Sequence, residues 1–317
     1  MLRVLGARGF LTAVPAFHAL AEAFPHHRRI LAAPAELAPL AHLCGGIDGV
    51  VSINRLSPLP RGLHRADIAV NLDARAPVSH RILLDTSPRR LIAFAHDEVL
   101  GGHAGPQWIE GEPDVERWCR MLEGHGIRAN PFRLALRHPP APRHDALGAT
   151  IMEPGGPGSE WRWPLERWVT IVRAERASGR CVVLTGRSSD AGVAFEIAHR
   201  AGLERQAVRI VHVGVTELAE LAGAAARVVC GDTVLAHLAT AMSTPSVLLL
   251  GPTASPDSTP PPHRSWHRVL WPVGRTGPYD AGARQGLLAI PVDRVLDALR
   301  SLPAPSAADG EAARLLA

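Results

Sequence analysis

Three turns in the second half of the chain share a composition that suits a nucleotide diphosphate. The first is Glu153-Pro154-Gly155-Gly156-Pro157-Gly158-Ser159. Its glycines let backbone N–H groups come close to an anion, and Arg162 just beyond offers a guanidinium for a two-pronged phosphate contact. An ordinary flexible loop has the same composition, because no fixed fingerprint spaces these glycines. The second turn, Thr185-Gly186-Arg187-Ser188-Ser189-Asp190, brings a carboxylate that can accept hydrogen bonds from a ribose diol or, equally, cap a helix. The third, Gly231-Asp232-Thr233-Val234-Leu235-Ala236-His237, sets Thr233 and His237 four residues apart on one helical face and leaves Leu235 and Leu238 to pack inward. Taken singly, Asp232 reads as a cap and His237 as a structural histidine more readily than as ligand contacts.

Composition removes several competing chemistries. All 34 Lys+Arg residues are arginine, so a Walker-A lysine and a lysine Schiff base are excluded, and every fixed positive charge is a guanidinium. The net charge of +4 over 317 residues, with arginines interleaved among 30 acids, builds no polybasic run, and a nucleic-acid partner is not expected. Cys44, Cys119, Cys181 and Cys230 form no CxxC pair and the 16 histidines no HExxH, so neither a redox pair nor a metal cofactor is expected. Arg3 and Arg8 interrupt the apolar amino end, and no run reaches the ~18 apolar residues of a membrane span. The expectation is a cytoplasmic chain with no transmembrane segment.

The elements that must position those turns follow from short β-rich apolar runs alternating with segments of helical period, the pattern of parallel sheets flanked by helices. In the first half this predicts strands at Leu2–Leu5, Arg29–Ala32, Gly49–Ile53, Asp67–Leu72 and Leu91–Ala95. A tight turn at Gly6–Gly9 and helices at Leu11–Phe24, Ala35–Leu43, Val78–Leu84 and Asp114–His125 complete it. A Pro- and His-rich stretch, 126–147, reads as a linker. Beyond it, strands are expected at Ala149–Met152, Arg180–Leu184, Val208–Val211, Arg227–Cys230 and Ser246–Leu250. Helices are expected at Leu165–Ala177, Ala191–Ala201, Thr216–Ala224 and Thr233–Met242, and residues 303–317 should fray. This is an α/β chain of two doubly wound parallel-sheet domains, 1–147 and 148–302, whose ligands belong at the carboxyl ends of the strands.

One ordered set of motifs carries a resemblance. Trp163-Pro164-Leu165-Glu166-Arg167-Trp168, Leu184-Thr185-Gly186, Gly231-Asp232-Thr233 with His237-Leu238-Ala239, and Thr244-Pro245 with Gly251-Pro252-Thr253 resemble glycosyltransferase family 9, the ADP-heptose heptosyltransferases. Leu11-Thr12-Ala13-Val14-Pro15-Ala16 and Ala23-Phe24-Pro25 extend the likeness to the amino end. The resemblance implies a GT-B fold, two Rossmann-like domains facing across a cleft, with the acceptor on the first and the donor on the second. It implies inverting, metal-independent transfer of a sugar, heptose by analogy, from a nucleoside diphosphate donor, ADP-linked, to an unidentified glycan or small-metabolite acceptor. No cofactor besides that donor substrate is implied. By position, Gly155, Gly156, Ser159 and Arg162 would meet the diphosphate and Asp190 the ribose. Asp232, Thr233 and His237 would line the phosphates and sugar, and backbone near Val215 and Thr216 would meet the base.

Three positions depart from the family's pattern. Gly9 stands where the family has the aspartate proposed as general base, Trp161 where it has a basic residue, and Val234 where it has a glycine. Arg162 and Arg187 remain to stabilise charge on the departing diphosphate. For the proton of the attacking hydroxyl, Asp73 at the end of a first-domain strand is the candidate base, with Asp97 and Glu98 in reserve; a turn residue capping a helix is its alternative reading. Two other readings stay open at Gly9: an acceptor that needs little base assistance, and a non-catalytic paralogue that binds a sugar nucleotide.

Overall fold

The computed structural model describes residues 1–73, 75–99, 105–139, 144, 146–155, 163–211, 214–251, 258–261, 263–272 and 286–303. The chain divides into two compact units, Met1–Leu136 and Arg137–Ala317. The division falls inside the Pro- and His-rich stretch.

The first unit runs α1 (Ala7–Thr12), α2 (Val14–Ala23), β1 (Ile30–Ala33), α3 (Ala38–Cys44), β2 (Gly49–Ser52), β3 (Ile68–Val70), α4 (Pro77–Asp85), β4 (Arg90–Ile92) and α5 (Asp114–Gly124). β1 pairs in parallel with β2, and β3 with β4. Leu2 joins the two pairs through parallel bridges to Ala32 and Asn71. Leu2, Ala32, Ile53, Leu59, Ala69, Ile82 and Leu83 form a core cluster around that junction.

Two expectations for the amino end are corrected. The strand predicted at Leu2–Leu5 is a single bridged residue, because the ladder is interrupted one step on: the Val4 N–H donates to the Asp73 carboxylate, Oδ1 at 2.6 Å, instead of a neighbouring strand. The helix predicted at Leu11–Phe24 is two helices, and α1 already begins at Ala7, where a tight turn was predicted. The break at Ala13 (φ −95°, ψ −2°) precedes Pro15, which has no N–H to donate into the preceding turn and so suits the start of a new helix.

The second unit runs β5 (Thr150–Glu153), α6 (Leu165–Ala177), β6 (Val182–Arg187), α7 (Ala191–Ala201), β7 (Val208–Val211), α8 (Val215–Ala224), β8 (Arg227–Cys230), α9 (Val234–Ala241), β9 (Ser246–Leu249), β10 (His267–Leu270) and α10 (Val292–Arg300). All strand pairs are parallel, in the order β10-β9-β8-β5-β6-β7. The runs Thr150-Ile151-Met152, Val182-Val183-Leu184 and Val247-Leu248-Leu249 are buried without alternation, as strands covered on both faces must be. Trp168 packs in this core at 2% exposure, meets Trp163 edge-on at 5.3 Å, and leaves the Trp163 Nε1–H to donate to the Ile290 carbonyl at 2.8 Å. That bond ties the start of α6 to the turn before α10.

Two differences from expectation matter here. β6 runs on through Thr185-Gly186-Arg187, so only Ser188–Asp190, a short 3₁₀ turn, links it to α7. β10 and α10 were not anticipated; they extend the sheet beyond β9 and cover it. The frayed tail expected at 303–317 lies, from 304 onward, outside the described residues.

Candidate functional site

Because every strand of the second sheet points the same way, the carboxyl ends of β5, β6 and β8 share one edge. The chain moves outward from β5 through β6 to β7, then crosses back to place β8 on β5's other side. The order therefore reverses between β5 and β8, the position at which parallel α/β sheets open a crevice for ligands. Glu153 and Cys230 are register partners on the two sides of that reversal. Thr233 sits at the N-cap of α9, where free backbone N–H groups face the same edge.

At this edge four side chains meet. The Thr233 hydroxyl donates to Glu153 Oε2 and makes no capping bond to its own helix. Arg187 Nε donates to Asp190 Oδ2 at 3.3 Å, the guanidinium largely exposed and the carboxylate 1% exposed. Asp190 also presses on Gly155: a Cβ built there would stand 2.5 Å from Asp190 Cγ, so this backbone passes the carboxylate only as glycine. Burial pushes the Glu153 carboxyl up to about 7; the Thr233 hydrogen bond and the Arg187 charge pull it down, while the Asp190 charge pushes it further up. Cys230 beside it is held as a neutral thiol, raised by its burial and then by the Glu153 charge.

The sequence-predicted residues fare unequally. Gly155, Arg187, Asp190 and Thr233 converge at the switch point. Asp190 makes no side-chain cap bond to α7, and at 1% exposure offers a diol little surface. Asp232 does not occupy the cap position it was expected to fill, which is Thr233; instead its Oδ2 accepts the Ser258 hydroxyl at 2.6 Å. His237 lies half-buried one turn into α9, and Val215 and Thr216 open α8 behind the N-cap Gly214. Gly156, Ser159 and Arg162 lie outside the described residues. Glu153 was missed as a site residue. Its signal was an acid closing an otherwise apolar strand, Thr150-Ile151-Met152-Glu153, where a ligand edge begins.

The first unit has its own polar corner at the carboxyl end of β3. Asp73 is 5% exposed and fixed through Oδ1 by the Val4 N–H. Arg3, fully buried, donates from Nε to the Gly9 carbonyl at 2.5 Å, from Nη1 to the Leu72 carbonyl, and from Nη2 to Thr12 Oγ1 at 3.2 Å. Asp114 completes its surroundings at 3.5 Å, and the Trp118 ring lies 4.8 Å from the guanidinium carbon. Gly9 is thus packed in: a Cβ there would meet Leu5 Cβ at 2.6 Å and Arg3 Nη2 at 3.3 Å. Among the described residues no group of three or more His, Cys, Asp or Glu is arranged to hold a metal ion, and no helix is long and apolar enough to cross a membrane.

Comparison with known proteins bears on both units. Residues 141–274 match the sequence profile of glycosyltransferase family 9 (heptosyltransferase). The lipopolysaccharide heptosyltransferase 2 of Escherichia coli strain K12 is 33% identical over 228 residues, covering 67% of this chain and 60% of that protein. The chain spans about half the length of the curated relatives it matches, between 45% and 60%. The crystal structure of a glycosyl transferase family 9 protein from Veillonella parvula DSM 2008 superposes with a TM-score of 0.78 at 16% identity, covering 95% of each chain. The structure of E. coli ADP-heptose lps heptosyltransferase II gives 0.73 at 21% identity, over 95% of this chain and 97% of that one. The fold is therefore α/β of the GT-B class. With the family profile lying on its second unit, the chain belongs to glycosyltransferase family 9.

Proposed function

We propose that this chain is an inverting glycosyltransferase that works without a metal, in the cytoplasm, on a nucleoside diphosphate sugar. The domain 148–302, which lies in its second unit, binds the donor, and the domain 1–147, which contains its first, the acceptor. The observation that carries this reading is the convergence of Gly155, Arg187 and Thr233, at the N-terminus of α9, on the switch point of the second sheet. Backbone N–H groups and a guanidinium are what a diphosphate requires. An ADP-linked heptose is the donor we favour, because the structurally similar E. coli enzyme is an ADP-heptose lps heptosyltransferase.

In the transfer, an acceptor oxygen attacks the anomeric carbon and the bond from that carbon to the diphosphate oxygen breaks. The electron pair leaves on the diphosphate, where the α9 N-terminus and Arg187 stabilise it. The acceptor proton goes to a base, for which Asp73 is our assignment: Oδ1 is held by Val4, which leaves Oδ2 to take the proton. The packed Gly9 favours a second reading, a protein that binds the donor but transfers nothing.

A thermal-shift panel of ADP-, GDP-, UDP- and dTDP-sugars tests the donor assignment. A ligand at 100 times its Kd adds about 2.7 kcal/mol of stability, so an ADP-sugar should raise Tm clearly. A panel without any shift overturns it. With the donor in hand, Asp73→Asn should lower turnover by roughly 10² to 10⁴-fold without weakening donor binding. Undiminished turnover removes Asp73 from the mechanism, and a wild-type chain that binds donor yet neither transfers nor hydrolyses it establishes the second reading.

A further inference from the structure

The switch-point edge presents an electrostatic conflict. Glu153, Asp190 and Asp232 bring three carboxyl groups to the ends of β5, β6 and β8, and the guanidinium beside them, Arg187, is already paired with Asp190. A doubly anionic diphosphate would be repelled there if all three were ionised. The chain has no lysine to offset them. Among the described residues, Thr233 is the one hydrogen-bond partner of the Glu153 carboxyl, and it engages Oε2. Oε1 is left as the position for a proton, on a side chain that is 7% exposed.

Resting on the donor reading above, we propose that Glu153 binds the donor as a neutral acid, its Oε1–H donating to an anionic diphosphate oxygen where a cation would otherwise stand. Thr233 is the positioning residue, fixing which oxygen carries the proton. Loss of that proton turns a hydrogen-bond donor into a buried charge facing an anion, so donor affinity falls as pH rises. Among the described residues, the groups that act on Glu153 are Arg187 and Asp190 from the end of β6 and Thr233 from the turn into α9, with Cys230 on β8 beside it and Asp232 acting in turn on that thiol. The raised carboxyl puts the change near neutrality, and the Cys230 thiol stays protonated throughout.

The test is equilibrium binding of ADP-glucose, whose diphosphate is esterified on both sides and does not titrate between pH 5.5 and 9. Wild-type affinity should hold below about pH 6 and fall roughly tenfold or more by pH 8.5, whereas Glu153→Gln, which keeps a donor without an ionisable group, should bind at every pH with a flat profile. A contribution from His237 protonation would survive in Glu153→Gln and is separated in this way. Should Glu153→Gln fail to fold, calorimetry on the wild type in buffers of different ionisation enthalpy reads the same event, as uptake of about one proton on binding at pH 8. Tight wild-type binding with no pH dependence, no proton uptake, or a Glu153→Gln profile that follows the wild type overturns the assignment of Glu153 alone. Absence of ADP-glucose binding at any pH overturns the ADP-linked donor assignment, and this inference with it.

Discussion

The two polar corners use buried ionisable groups in opposite ways. In the first unit, the Arg3 guanidinium is consumed by structure: it ties the Gly9 and Leu72 carbonyls, Thr12 and Asp114 together and lies on Trp118. In the second, the Glu153 carboxyl has Thr233 as its one hydrogen-bond partner among the described residues, at Oε2. A buried charge whose hydrogen-bonding capacity is filled stabilises a fold; one left half-satisfied costs stability and marks a place for a ligand.

That contrast can be broken in three places. Arg3→Met should produce the largest loss, roughly 3–5 kcal/mol in a urea or guanidinium melt, because it strips the buried Leu72 carbonyl, the part-buried Gly9 carbonyl and Asp114 of their partner at once. A loss below about 1 kcal/mol would mean the corner is not held by this residue. Glu153→Gln should act with the opposite sign and depend on pH. The folded carboxyl, near 7, lies above its ordinary 4.5, so the native state binds the extra proton between those values. Wild-type stability is accordingly highest, relative to Gln, below about pH 4.5, and is lost as pH rises through 7, by up to ~3 kcal/mol. Parallel stability profiles of the two proteins from pH 5 to 8 would remove Glu153's burden. The smallest effect sharpens the comparison through glycine. Gly155→Ala, whose Cβ meets Asp190 at 2.5 Å, should cost about 1–3 kcal/mol, and a second change, Asp190→Ala, should recover part of it. Gly6→Ala in the first unit, with open space around it, should stay within about 0.5 kcal/mol.

Legibility in the sequence followed the range of the interactions involved. The helices Leu165–Ala177 and Ala191–Ala201 and the strands Val208–Val211 and Arg227–Cys230 were readable to the residue, since apolar period and local punctuation define them. The Leu2–Leu5 strand was not, because what ends it is a carboxylate 69 residues away. β10 reads poorly as His267-Arg268-Val269-Leu270, half polar, although α10 carries Val292, Val295, Leu296 and Leu299 at helical spacing and offered a signal. In the site, glycines and threonine advertised themselves by composition. The state of Glu153 did not: it depends on Thr233, 80 residues on, and on Arg187 and Asp190 from another strand. Type and spacing locate a ligand edge, but the charge on a buried acid belongs to the assembled neighbourhood.

The Arg3 tie also has a consequence for biosynthesis. One of its partners, Asp114, lies 111 residues further along the chain. At roughly 5–20 residues per second, a ribosome delivers that carboxylate some 6–20 s after Arg3 itself. Until then the nascent amino end carries a solvated guanidinium that the finished unit holds entirely away from water. Closure of this lobe is therefore a late event in its own translation, timed by the arrival of α5.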